Sequence, residues 1–380
     1  MENQKVYLDN AATTAIHPEV IDAMVDVMRN DFGNPSSIHS FGRKSRSIIE
    51  NCRKKIAELM HCSPGEIFFT SGGTEANNTA IRCSVRDLGI KTVISSCIEH
   101  HAVLHTCEDV EHIDHVKFIS LKVDAKGKID INELESHLAA NKNVLVSLMH
   151  ANNEIGTLNP IHKISELCQK YQAVFHSDTV QTVGHYPINL SELKIDFISC
   201  AAHKFHGPKG VGFLYKNANA KIKPLITGGA QERNFRGGTE NLYGIVGLTK
   251  ALQLAYENLS HEKKYIEELK HYMLQKLQDE LHDIRINGCV GDEALYTVLN
   301  VSFPETELNE MILFNLDING IAASGGSACS SGSEIGSHVL KSIGANPSRP
   351  SVRFSFSRFT NKGEIDYTIS KLKEIFLIKA

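Results

Sequence analysis

Between residues 92 and 216, short apolar β-forming runs alternate with stretches of helical periodicity, and this alternation restricts the fold more than any other feature of the chain. TVISS (92–96) precedes a His-rich helical stretch, and VKFIS (116–120) precedes DINELESHLAA. VLVSLMH (144–150) precedes PIHKISELCQKY, with Pro160 at a plausible first helical position. AVFHSD (173–178), FISCAA (197–202) and GVGFLYK (210–216) follow. Continuous apolar strands separated by helices predict an α/β fold whose mainly parallel sheet is covered on both faces. NLYGIVGLTKALQLAYENL and HEKKYIEELKHYMLQKLQDEL then read as two long helices, the second amphipathic and charged. Beyond them the pattern loosens into segments such as YTVLNVSF and VRFSFSRF, and it closes with a helix, EIDYTISKLKEIFLIKA. A chain of 380 residues exceeds the usual reach of one hydrophobic core, so two domains are expected, divided near residue 258.

Ligands of open α/β sheets bind beyond the carboxyl ends of the strands, so the residues that follow each run are the first candidates for chemistry. Glu99, His100 and His101 follow TVISS. Asn152, Asn153 and Glu154 follow VLVSLMH. AVFHSD ends in Asp178, with Gln181 close behind, and His203 and Lys204 follow FISCAA. Upstream lies TSGGTEANNTAI (70–81), where Gly72 and Gly73 allow close backbone approach and Thr74 is expected to cap a helix starting at Glu75. Free N–H groups at such a helix start would hold a phosphate. There is no G-x-x-x-x-G-K-[ST] loop, which argues against a P-loop nucleotidase. A phosphate cradle, an acid and a lysine at one sheet edge together suggest pyridoxal 5'-phosphate, with Lys204 as its covalent anchor and Asp178 against its ring nitrogen.

Charge and cysteine usage narrow the alternatives. Lys plus Arg is 40 against 44 for Asp plus Glu, a near balance that opposes nucleic acid or a membrane surface as partner. The N-terminal stretch MENQKVYLDNAATT has no apolar core and carries acids, so neither a signal nor a transit peptide is expected, and the cytoplasm is the expected location. Nine cysteines without a C-x-x-C pair suit a reducing compartment. Cys329 stands out because it lies in a Gly/Ser segment, Ala323 to Ser333, with almost no apolar neighbours to bury it, where a thiolate can be reached. Cys83 and Cys168 sit in helix-like stretches and read as small core residues. His101 and His105 share a helix face near Cys107 and His112, but no convincing third ligand follows and no metal site is expected.

HSDTVQTVGH, SCAAHKFHGPKGVG, NFRGGTENLYGIVG and GGSACSSGS, in this order, resemble the cysteine desulfurases of the NifS/IscS type, members of the class V aminotransferase superfamily. The likeness runs from LDNAATT (8–14) to VRFSFSRFT (352–360). It implies a PLP-dependent transferase of fold type I, with a seven-stranded sheet in a large domain (14–258) and a smaller α+β domain built from 1–13 and 259–380. It implies that Lys204 holds PLP, that His100 stacks on the ring, and that Asp178 and Gln181 bond its nitrogen and hydroxyl. Gly73, Thr74 and His203 would bind phosphate, and Thr239 would reach the phosphate of the partner subunit in a homodimer. Asn152 would contact cofactor and substrate, and Asn34 and Arg353 would orient the substrate, Arg353 by its carboxylate. Lys204, His100 and Cys329 would be catalytic, Cys329 taking sulfur from L-cysteine as a persulfide and leaving L-alanine. An iron–sulfur scaffold or a tRNA-thiolation enzyme would accept the sulfur. Two departures stand out: Ala201 occupies a position where relatives often carry a phosphate-binding Ser, and the chain ends at Ala380 without the longer tail that some members use to dock a scaffold. A selenocysteine lyase, or another class V aminotransferase or lyase, is the alternative reading; the last two would not require Cys329.

Overall fold

The β-forming runs come together edge to edge in a computed structural model of the chain, which describes residues 5–305, 311–325 and 336–377. Strand β1 (Val6–Tyr7) lies apart from the main sheet. The main sheet contains β2 (Ile67–Thr70), β3 (Thr92–Ser96), β4 (Lys117–Leu121), β5 (Val144–Ser147), β6 (Val174–Asp178), β7 (Phe197–Ala201) and β8 (Gly212–Lys216). Its order is β2-β8-β7-β6-β5-β3-β4. The pairs from β4 across to β7 are parallel, and β8 runs antiparallel to both β2 and β7. Every residue of β2, β3, β5 and β7 is buried, as expected where helices cover both faces. Beyond them, β9 (Arg285–Asn287), β10 (Val298–Ser302) and β12 (Ser351–Ser355) form an antiparallel sheet, and β11 (Ile321–Ala322) pairs in parallel with β1.

The two long helices expected near residue 250 are Leu242–Glu257 and Leu259–Glu280, and Asn258 closes the first and opens the second. Leu254 packs in a large apolar cluster with the main sheet, whereas Ile266, Leu269 and Met273 pack in another with Val6, Leu8, Val301 and Phe354. No helix among the described residues is long and apolar enough to cross a membrane.

Two local expectations are corrected. The helix after β2 spans Gly73–Leu88, with Gly72 as its cap at φ 150°; Thr74 is therefore its second residue and does not cap it. That φ suits a glycine, so the tight exit from β2 sets the helix start earlier than a hydroxyl cap would. Pro160 precedes the helix Ile161–Lys170 as its cap and is not its first residue.

Buried histidines cross-link the layers. His176 on β6 shares hydrogen bonds with Ser147 on β5 (2.8 Å) and Ser199 on β7 (3.1 Å), spanning three strands through one ring. His150 meets Thr182 at 3.0 Å, and His185 lies 3.1 Å from both Tyr296 Oη and the Lys204 carbonyl. His206 Nδ1 lies 2.8 Å from the Ala15 carbonyl. Burial depresses the first three to about 4 and His206 to about 3, from an ordinary 6.5. The unfolded chain therefore binds these protons first, and the associated stability, full above pH 6.5, is lost as pH falls toward 4. Glu99, pushed up by burial to about 8, works in the opposite sense with one proton and is outweighed. The melting temperature should drop on going from pH 7 to pH 5, and stability measured at constant temperature should show a net slope of more than one proton. A flat profile over that range would contradict the neutral burial of these rings.

Candidate active site

The shared direction of the parallel strands brings their carboxyl ends to one edge, where they border a cavity of about 260 Å³. His100, just past β3, caps the helix His101–Asp114, its Nδ1 accepting the Ala102 N–H at 3.0 Å. Asp178 is the last residue of β6. Its carboxylate accepts from Asn77 Nδ2 at 2.6 Å and from the Val180 N–H at 2.9 Å. Lys204 ends a single 3₁₀ turn, Ala202–Lys204, which leaves β7. Its ammonium donates to the carbonyls of Ala11 (2.7 Å) and Ala12 (2.8 Å). Gln181 donates to the same Ala11 carbonyl at 3.1 Å, and His203 Nδ1 lies 3.2 Å from Thr13 Oγ1. The N-terminal segment thus forms one wall of the cavity.

Gly73 and Thr74 enter the cavity from the start of the helix after β2. A methyl group on Gly73 would fall 2.6 Å from Val180 Cγ2, so the approach depends on glycine. Arg353, on β12, reaches the cavity from the other apolar cluster's sheet and is 1% exposed. Burial lowers the pKa of His100, assisted by the Lys204 charge and opposed by Asp178, so its imidazole is neutral at pH 7. His203 is held at about 4 by burial, with Lys204 and Lys209 adding to the effect.

Gly73, Thr74, His100 and Asp178 therefore share one cavity with Gln181, His203, Lys204 and Arg353. Asn152 does not join them. Its side chain is 1% exposed and faces the backbone, donating to the Ile98 carbonyl at 2.8 Å and accepting from the N–H groups of Glu154 and Ile155. The cavity is lined instead by its neighbour Asn153, which the run of two asparagines did not distinguish. Asn34 is exposed, accepts from the Ser36 N–H at 2.9 Å and does not line this cavity. Thr239 is also exposed and borders a separate hollow with Ser71, Glu232 and Arg236. Cys329 lies outside the described residues. His101 stacks on His105 at 4.8 Å, and among the described residues no group of three or more His, Cys, Asp or Glu is placed to hold a metal ion. Sequence reasoning missed Asn77 and the Ala11 and Ala12 carbonyls; Asn77 lies one helical turn after Gly73, which brings it onto the cavity side.

This architecture is that of a class V aminotransferase, and the family model described as "Aminotransferase class-V" matches residues 6–368. The chain is 44% identical over 376 residues to the cysteine desulfurase IscS of Dictyoglomus turgidum, covering 98% of this chain and 94% of that protein. A solved structure described as a NifS-like protein superposes with a TM-score of 0.90 at 34% identity, covering 98% of this chain and all of the other. Another, described as SspA in complex with cysteine, gives 0.82 at 32% identity over 94% of this chain and 100% of that one. The chain belongs to the class V aminotransferase family and, within it, to the cysteine desulfurases of the IscS/NifS type.

Replacing Asn77 with Ala would leave a buried Asp178 oxygen without its 2.6 Å donor. Stability in denaturant should fall by about 1–3 kcal/mol, the cost of a buried polar atom left unpaired.

Proposed function

We propose that this protein is a PLP-dependent cysteine desulfurase that takes sulfur from L-cysteine onto Cys329 and releases L-alanine. The observation that carries the reading is the meeting of Lys204, Asp178, His100 and a glycine-started helix in one cavity that Arg353 also reaches. These residues fit the cofactor: Gly73 leaves room where a Cβ would collide with Val180, and the first-turn N–H groups of a 16-residue helix suit a phosphate. Asp178 suits a ring nitrogen that carries a proton. Gly73, Thr74 and His203 would hold the phosphate, Gln181 the ring hydroxyl, and His100 the ring face.

When bound, the cofactor supplies an electron sink for charge that develops at the substrate α-carbon. Lys204 would hold it through Nζ, and the same nitrogen would take the substrate α-proton. Arg353 receives the substrate carboxylate, and Asn153, in the place expected for Asn152, borders the substrate. The neutral His100 imidazole accepts or returns a proton at sulfur. Cys329, as thiolate, attacks the substrate sulfur: an S–S bond forms, and the C–S bond breaks with its electron pair left on carbon. That carbon and the α-carbon take up protons to complete alanine, while the persulfide stays on Cys329.

Two exposed features support a homodimer. Thr239 is exposed and does not line its own cavity, so it could serve the partner's phosphate, and Phe32, Ile38 and Phe41 present an apolar surface beside Asn34. The division into a cofactor-holding unit (14–258) and a smaller unit (1–13 and 259–380) carrying Cys329 draws support from the two separate apolar clusters. The sulfur would pass to a protein acceptor, such as an iron–sulfur scaffold or a tRNA-thiolation enzyme.

Purified protein should show the absorbance of bound PLP and form alanine and transferable sulfur in equal amounts from L-cysteine; absence of alanine would overturn the reading. Cys329→Ala should keep that absorbance and lose at least about a hundredfold in sulfur transfer, as expected when a reacting group is removed. Ala201→Ser would restore a hydroxyl beside the Gly73 cradle, where the Ala201 Cβ lies 3.9 Å from the position of a Cβ on Gly73. It should lower the PLP dissociation constant several-fold in titration of the apoprotein.

A further inference from the structure

Arg353 is held by the protein before any substrate arrives. Its guanidinium is buried on β12, with Nη2 donating to Asp9 Oδ1 at 2.8 Å and Nη1 to the Asn153 carbonyl at 2.9 Å. Among the described residues, Nε is buried without a partner. Asp9 follows β1 in the N-terminal segment, and the same Oδ1 accepts from Ser324 Oγ at 2.8 Å. Ser324 in turn exchanges backbone hydrogen bonds with Arg353, which gives its N–H to the Ser324 carbonyl at 2.6 Å. Three segments distant in sequence therefore converge on one carboxylate oxygen.

We propose that Asp9 is a positioning residue for substrate recognition, holding the Arg353 guanidinium oriented so that its remaining donors meet the carboxylate of the amino-acid substrate. The proposal rests on the reading of Arg353 as the carboxylate grip. A buried guanidinium without a counter-charge is strongly unfavourable, so removal of Asp9 leaves Arg353 to seek water or another acceptor. The orientation is then lost, and binding must restore it at the expense of affinity. Asp9 lies 18% exposed beside the cavity wall formed by Ala11 and Ala12, and among the described residues its carboxylate bonds to Ser324 and Arg353, neither of which would carry the cofactor. Its effect should therefore be specific to the substrate carboxylate.

The test is an equilibrium titration of the PLP-loaded enzyme with L-alanine, which carries the carboxylate and amine but no thiol, followed by cofactor absorbance. Asp9→Ala should weaken L-alanine by at least about tenfold, the scale of one hydrogen bond to a charged group, with Asp9→Asn in between. Ethylamine, which is alanine without its carboxylate, should bind Asp9→Ala and wild type equally, and kcat at saturating L-cysteine should change by less than about threefold. Unchanged or tighter L-alanine binding, or an equal loss for ethylamine, overturns the proposal. Arg353→Lys in the same titration tests the underlying reading separately. If it binds L-alanine as tightly as wild type, Arg353 is not the carboxylate grip; if it weakens while Asp9→Ala does not, only the role of Asp9 falls.

Discussion

Parallel pairing of β3, β5, β6 and β7 is the constraint on which the site depends. Strands that share a direction end at the same edge, so whatever follows each one is delivered to one crevice whatever its place in the sequence. That is how His100 and Asp178, more than seventy residues apart, come to border one cavity with Lys204. The reversal of β8 against β7 serves the same end. It lets β2 lie beside β8 with its own carboxyl end at that edge, and the helix Gly73–Leu88 then starts where a phosphate would lie.

The cavity is closed by a part of the chain that does not belong to the sheet. Residues 9–13 supply backbone carbonyls to Lys204 and Gln181, a hydroxyl near His203 and a carboxylate to Arg353. Arg353 comes from a separate antiparallel sheet with its own apolar cluster. The N-terminal segment is thus wedged between the large sheet's edge and β12, and it touches polar groups of both.

Much of this was legible in the sequence, for identifiable reasons. β3, β5, β6 and β7 are readable because strands buried along most of their length are largely apolar runs, and His100, Asp178 and Lys204 are readable because they end or follow such runs. The start of the helix after β2 was misplaced by two residues, since a glycine in an unusual backbone conformation competes with a hydroxyl as a cap signal. Asn152 and Asn153 are chemically identical, and which one faces the cavity is decided by the turn they occupy. The carbonyls of Ala11 and Ala12 carry no sequence signal, because every residue has a carbonyl. β1 and β11 are two-residue strands, too short for any periodicity, and they form only because distant segments are already side by side. Arg353 was placed by resemblance, and nothing local to VRFSFSRF marks it as a group that faces a ligand.

The pairing of Val6 with Ile321 and of Tyr7 with Ala322 bears on how the molecule is made. Strand β1 has no partner until about three hundred further residues have followed, and closing so large a loop is slow. Thr14 and His17, by contrast, bond to His203 and His206, so the segment that carries Ala11 and Ala12 can meet Lys204 well before that pairing forms. Products truncated before Ile321 would therefore carry the strand-end residues and the Ala11–Ala12 wall, but would leave β1 without its partner.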